Sequence, residues 1–151
     1  MKIIKSEKLK KPQGYLEYWI KDKDTGEIIK HGKGKNIVVN AGLNGLVQGM
    51  IDGSFIIDTI KIGTTNTAFV SNSTDLTTPV QTLSLSGSER TTATVGKIII
   101  SKNFSISGAQ DIQEIGIFSG STAWALTSAI DAQLNNQVLF TQWTIDFSDI
   151  T

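Results

Sequence analysis

Leu139-Phe140-Thr141-Gln142-Trp143-Thr144-Ile145-Asp146-Phe147 decides the fold class. Leu139, Thr141, Trp143, Ile145 and Phe147 share one face at a period of two, which is the period of a β-strand. The same alternation recurs upstream. Ile98, Ile100, Phe104 and Ile106 follow it, with Lys102 the exception. Ile112 to Phe118 reads as a strand with Ile115 and Ile117 on one face, and Thr122 to Ile130 carries Trp124, Leu126 and Ile130 in alternation. Gly87-Ser88-Glu89-Arg90, Gly108-Ala109-Gln110-Asp111 and Gly120 supply turns between them. Further upstream, Ile56 to Ile62 and Val80 to Leu85 are strands, and Thr91 to Val95 is a further pairing segment. Residues 64–79 form a long polar loop anchored by Phe69 and Val70. Short strands at this spacing, separated by polar turns, predict a mainly β protein: an antiparallel β-sandwich, jelly-roll-like, with one short amphipathic helix. No repeat of fixed period is visible.

The N-terminal third is organised differently. Residues 1–13 are rich in lysine (Lys2, Lys5, Lys8, Lys10, Lys11) and read as a basic arm ahead of a single domain over 14–151. Tyr15 to Ile20 and Glu27 to His31 flank the turn Asp22-Lys23-Asp24-Thr25-Gly26, so 15–31 reads as a hairpin. Tyr15 and Trp19 fall on one face of it and Tyr18 on the other. Gly32-Lys33-Gly34-Lys35 reads as a loop and Asn36 to Asn40 as a short strand. Leu43, Leu46, Val47, Met50 and Ile51 then form one helical stripe, predicting a helix over about 42–52, capped by Asn40 and ended by Gly53. Gly45 and Gly49 each cost about 1 kcal/mol relative to alanine, so packing must hold this helix.

The chain has 151 residues, enough for one domain with a real core. Its net charge is zero, which argues against a nucleic-acid partner held by charge. Residues 1–40 carry ten lysines against five acids, however, and residues 41–151 four basic residues against nine acids. That opposition has two readings: contact between neighbouring copies, or an internal dipole with an exposed lysine-rich leader. The apolar runs are too short to span a bilayer, and no signal peptide is expected.

Reactive chemistry is sparse. With no cysteine and His31 alone, no thiolate nucleophile exists and a metal site or a serine triad lacks its partners. Asp22 and Asp24 share a turn without a third acid at calcium-loop spacing. Glu89, Asp111 and Glu114 are the mid-chain candidates for a carboxylate pair. We therefore expect no enzyme, no catalytic residues and no cofactor. Trp124 and Trp143 lie in alternating strands, where burial is their expected use.

Several segments, in order, resemble a known arrangement. They are Asn36-Ile37-Val38-Val39-Asn40-Ala41-Gly42-Leu43-Asn44-Gly45-Leu46, Ile60-Lys61-Ile62-Gly63-Thr64-Thr65, Asp75-Leu76-Thr77-Thr78-Pro79-Val80, Asn103-Phe104-Ser105-Ile106 and Ile112-Gln113-Glu114-Ile115-Gly116-Ile117-Phe118. This looks like the N-x-V-x-N-x-G-L … I-G-T … D-T-x-L … E-I-G-L-F pattern of small structural proteins of tailed bacteriophages. The pattern departs at Thr74-Asp75-Leu76, which lacks a residue before the leucine, and at Gly63-Thr64-Thr65, which lacks a second glycine. The resemblance implies a virion protein made in the host cytoplasm: a tail-tip, fibre-attachment or adaptor component, or else a head decoration protein. It would partner other virion proteins and its own copies, in a trimer or ring. The expected partner-binding residues are Lys2, Lys5, Lys8, Lys10, Lys11, Tyr15, Tyr18 and Trp19. The rival expectation is a carbohydrate-binding module reading a host surface through exposed Trp124 or Trp143. Glu114, an odd charge in an apolar strand, should hydrogen-bond the backbone of an adjoining loop, because a buried unpaired carboxylate is expensive. Gly42 and Gly63 are expected where the backbone must turn.

Overall fold

The computed structural model describes residues 12–92, 96–128 and 130–147; most of the basic arm and the end of the Thr91–Val95 segment lie outside them. The chain is mainly β. Its strands are β1 (Gln13–Lys21), β2 (Ile28–Lys35), β3 (Ile37–Val38), β4 (Thr59–Gly63), β5 (Pro79–Ser84), β6 (Arg90–Thr91), β7 (Lys97–Ser105), β8 (Ala109–Ile112), β9 (Glu114–Ser119), β10 (Thr122–Thr127), β11 (Ala132–Asn135) and β12 (Val138–Asp146). One helix, α1 (Asn40–Asp52), follows β3. Two antiparallel five-stranded sheets result, one in the order β2-β1-β12-β7-β6 and the other β3-β10-β9-β4-β5, with β8 and β11 as a separate ribbon.

β12 lies at the centre of the first sheet because both its neighbours can bury their alternate residues beside its own. It pairs with β1 from Gln13↔Asp146 to Lys21↔Val138 and with β7 from Val138↔Ser105 to Asp146↔Lys97. Leu139, Thr141, Trp143 and Ile145 point inward, as the alternation required. Thr141 is the one polar member, and its hydroxyl donates to the Lys102 carbonyl at 3.1 Å. The main core joins these residues to Leu16, Tyr18 and Ile20 of β1, Ile100 and Phe104 of β7, and Ile60, Ile62, Ile115, Ile117 and Trp124 of the second sheet. This is a β-sandwich-like arrangement.

The second sheet is covered on its other face too. Val39, Leu76, Phe118, Ala123 and Leu126 form a smaller cluster there, joined by Ile37, Ala41 and Phe69. The loop between β4 and β5 supplies Phe69 and Leu76. Val70, the other expected anchor, is 61% exposed. Burial on both faces explains why β9 is buried at five consecutive positions, without alternation. It also changes the assignment of Trp124 and Leu126. The register of β10 against β9 shifts between Ala123 and Ala125, so Trp124 sits in the main core and Leu126 in the smaller cluster.

Other expectations are corrected at their ends. The hairpin runs from Gln13 to Lys35, so Gln13 belongs to β1 rather than to the arm, and Gly32-Lys33-Gly34-Lys35 is strand rather than loop. Its glycines face inward by necessity: Gly32 lies opposite Tyr18, whose ring would meet an added Cβ at 2.1 Å. Strand β4 begins at Thr59, not Ile56. The Gly108–Asp111 turn and the Ile112–Phe118 strand resolve into β8 and β9, broken at Gln113. Strand β11, where Ala132 and Leu134 alternate inward, was not anticipated.

Helix α1 starts two residues earlier than expected. Val39 is its cap residue; Asn40 makes no side-chain cap and instead donates Nδ2 to Asn72 Oδ1 at 2.8 Å. Gly53 ends the helix as expected, with a left-handed φ of 71° and its N–H on the Gly49 carbonyl at 2.7 Å.

Candidate interaction surface

The outward face of β1 carries Tyr15, Glu17, Trp19 and Lys21, and cross-strand pairing decides what stands beside each. Trp19 lies between His31 of β2 and Phe140 of β12. Its ring stacks on His31 at 4.8 Å and 7°, and meets Phe140 at 5.3 Å and 35°. Lys21 Nζ sits 4.6 Å from the centre of the Phe140 ring, on its face. His31 Nε2 bonds Glu17 Oε2 at 2.9 Å. Tyr15 is 41% exposed and lies opposite Lys35. This is a half-exposed aromatic row, bordered by Lys33 and Lys35 on the edge strand.

Tyr18 does not belong to it. Tyr18 is buried in the main core, packed over Gly32, with its hydroxyl 3.4 Å from the Asp131 backbone. As a partner-binding residue it is corrected to a core residue: alternation separates it from Tyr15 and Trp19, and its side of β1 is the side that faces the second sheet. Lys2, Lys5, Lys8, Lys10 and Lys11 lie outside the described residues. Trp124 and Trp143 are both in the core, so neither offers the exposed ring that sugar stacking needs. Trp143 Nε1 donates to Asn36 Oδ1 at 3.2 Å.

A second surface was only half legible. The stripe Leu43, Leu46, Val47, Met50, Ile51 exists on α1, but it does not all face the sheet. Val47, Met50 and Ile51 are 61%, 82% and 78% exposed, with Ile56 also exposed just beyond. The face that packs is the glycine face. Gly42 touches the backbone of Trp124 so closely that an added Cβ would lie 2.6 Å from its Cα. Gly45 and Gly49 accept Phe55, whose ring and Cβ would meet added Cβ atoms at 2.5 and 2.6 Å. Phe55 in turn meets Trp124 edge-on, ring centres 6.5 Å apart. The spacing of the glycines was the available signal. It pointed to cost, whereas their use is close approach.

The conspicuous acids have structural partners. Glu114 is fully buried and accepts the Thr77 N–H on Oε2 at 2.9 Å and the Thr78 N–H on Oε1 at 2.6 Å. The expected loop contact is therefore present. Gly63 makes room for it, since a Cβ there would stand 2.2 Å from Glu114 Oε1. Gly42 and Gly63 thus serve close approach rather than the backbone turn expected of them. Glu89 closes a capping box with Ser86 and holds Lys102 at 2.9 Å; that hydrogen bond pulls its carboxyl below the usual range. Asp22 accepts the Thr25 and Asp24 N–H groups at 2.8 and 2.9 Å and is likewise lowered, Thr25 contributing most. Asp111 pairs with Gln113 at 2.9 Å. Among the described residues no group of three metal-binding side chains forms, and no helix is long and apolar enough to cross a membrane.

Fold and surfaces together define a mainly β, sandwich-like protein with an exposed apolar helix face and an aromatic sheet face. No family model, no curated protein and no solved structure matches the chain.

Proposed function

We propose that this chain is a non-enzymatic structural protein of a tailed-bacteriophage virion, a tail or neck component that assembles with its own copies and with neighbouring virion proteins. The ordered motif resemblance suggests the class. The observation that carries an assembly role is the exposure of Val47, Met50 and Ile51 on one helix. A contiguous apolar patch left in water is the usual mark of a protein–protein contact. Two features support the reading. The motif residues Asn36, Gly42, Gly63 and Glu114 engage backbone or core groups, which suits a scaffold. The rival carbohydrate reading loses Trp124 and Trp143, both buried.

The test is incorporation into phage particles. Met50→Lys with Ile51→Lys changes two exposed side chains, so the fold should persist while incorporation is lost. Normal incorporation of that variant would remove the helix face from the proposal. The arm is tested separately by deleting residues 1–11, which spares Gln13 and its pairing with Asp146. The native mass is then compared by light scattering.

A further inference from the structure

Four strands form the edges of the two five-stranded sheets: β2 and β6 in one, β3 and β5 in the other. An edge strand leaves alternate N–H and C=O groups unpaired, and proteins guard such edges with lysines or by keeping them short. Three of the four follow that rule. β2 carries Lys30, His31, Lys33 and Lys35, while β3 and β6 are two residues each. β5 does not follow it. Pro79-Val80-Gln81-Thr82-Leu83-Ser84 is six residues without a charge, inside an uncharged stretch from Leu76 to Ser88. One side pairs with β4, from Thr59↔Ser84 to Ile62↔Gln81, and no described residue pairs with the other. Leu83 packs on the main core, and Val80, Thr82 and Ser84 are exposed.

We infer that the free edge of β5 pairs antiparallel with β5 of a second copy, joining two five-stranded sheets across a two-fold axis. This rests on the assembly reading above and names its surface. The second copy is the fitting occupant because an isologous contact sets each residue type against the same strip of chain. An uncharged strip meets itself without repulsion, whereas β2 would bring four basic side chains to the axis from each copy. Side-chain parity fixes the register. Opposed residues must point to the same face, so the axis passes through a residue rather than between two. Centred on Thr82, Thr82 opposes its own copy, Val80 opposes Ser84, and Gln81 opposes Leu83. Pro79, which has no N–H to give, falls at the end of the ladder.

The chain contains no cysteine, so single cysteines report this register directly. Opposed Cβ atoms lie about 4.5–5.5 Å apart, close to disulfide reach. Thr82→Cys should therefore link into a dimer under mild oxidation. Ser84→Cys should not, because its two copies would stand about 14 Å apart along the strands. Thr82→Lys places like charges on the axis and should raise the dimer dissociation constant severalfold, while the unfolding midpoint measured in dilute, monomeric solution stays unchanged. Equal linking by both cysteines, or a dimer that Thr82→Lys leaves intact, would overturn the β5 contact while leaving self-assembly in place. A native mass of one chain, 16.3 kDa, at every concentration would overturn the inference as well. The incorporation test of the helix face would still decide the virion reading.

Discussion

Glu114 is held by two backbone donors, the Thr77 and Thr78 N–H groups. Replacing it with alanine leaves the Thr77 and Thr78 N–H groups without their acceptor and opens space beside Gly63. Thr77 and Thr78 lie on an exposed loop, so water can reach the freed donors and each costs less than the about 1–3 kcal/mol of a fully buried one; Glu114→Ala should lower stability by about 1–2 kcal/mol in urea unfolding. Glu114→Gln keeps one acceptor and should cost less. Equal stability of Glu114→Ala and the parent chain would refute the latch. This residue was legible early, because a charge in an apolar strand demands a partner. Tyr18 was not. Alternation placed it opposite Tyr15 and Trp19, but which side of a two-sided aromatic strand faces the core depends on where the other sheet lies.

At the scale of the element, α1 sets propensity against packing. Propensity says that Gly45→Ala should stabilise a helix by about 1 kcal/mol. The Phe55 ring, which would meet the new Cβ at 2.5 Å, says the opposite. We expect Gly45→Ala to destabilise by about 1–3 kcal/mol through overpacking. In a Phe55→Ala background the same change should become neutral or favourable, because the ring is gone. A double-mutant cycle by thermal unfolding measures the coupling. A stabilising Gly45→Ala in the parent chain would mean the ring moves aside freely. Strand β2 makes the same point in another form. Gly-Lys-Gly-Lys suggested a loop, yet it has the period of a strand, with glycine inward under Leu16 and Tyr18 and lysine outward. Glycine is poor strand material until a neighbouring ring supplies the missing side chain.

For the whole molecule, carboxylates tie separate segments together and set the acid limit of stability. Asp58 Oδ1 accepts the Gly120 N–H at 2.8 Å, and that bond chiefly holds its carboxyl below the ordinary 3.8. Glu89 is held below 4.5 chiefly by its bond to Lys102. A folded-state value below the unfolded one adds stability that is complete above the unfolded value. That stability is lost as the pH falls through the folded one. Stability should therefore be level from neutral pH to about 5 and decline below about 4. Asp58→Asn should show a shallower decline when unfolding midpoints are followed across that range. An identical profile would show that the Asp58 bond adds nothing.

The chain by itself determined the class of fold, because a period of two is written in local spacing and survives whatever the strand packs against. It also marked Glu114, the end of α1 at Gly53 and the inward face of β12, each a demand of local chemistry. Tertiary structure decided the rest. The second sheet is covered on both faces, so β9 shows no alternation to read. Trp124 and Leu126 part company because a register shift in β10 depends on its pairing with β9. Val47, Met50 and Ile51 of the α1 stripe are left in water because the glycine side of the helix allows the closest approach to the sheet. These outcomes turn on which surfaces meet, and contacts between residues far apart in the chain leave no period in the sequence.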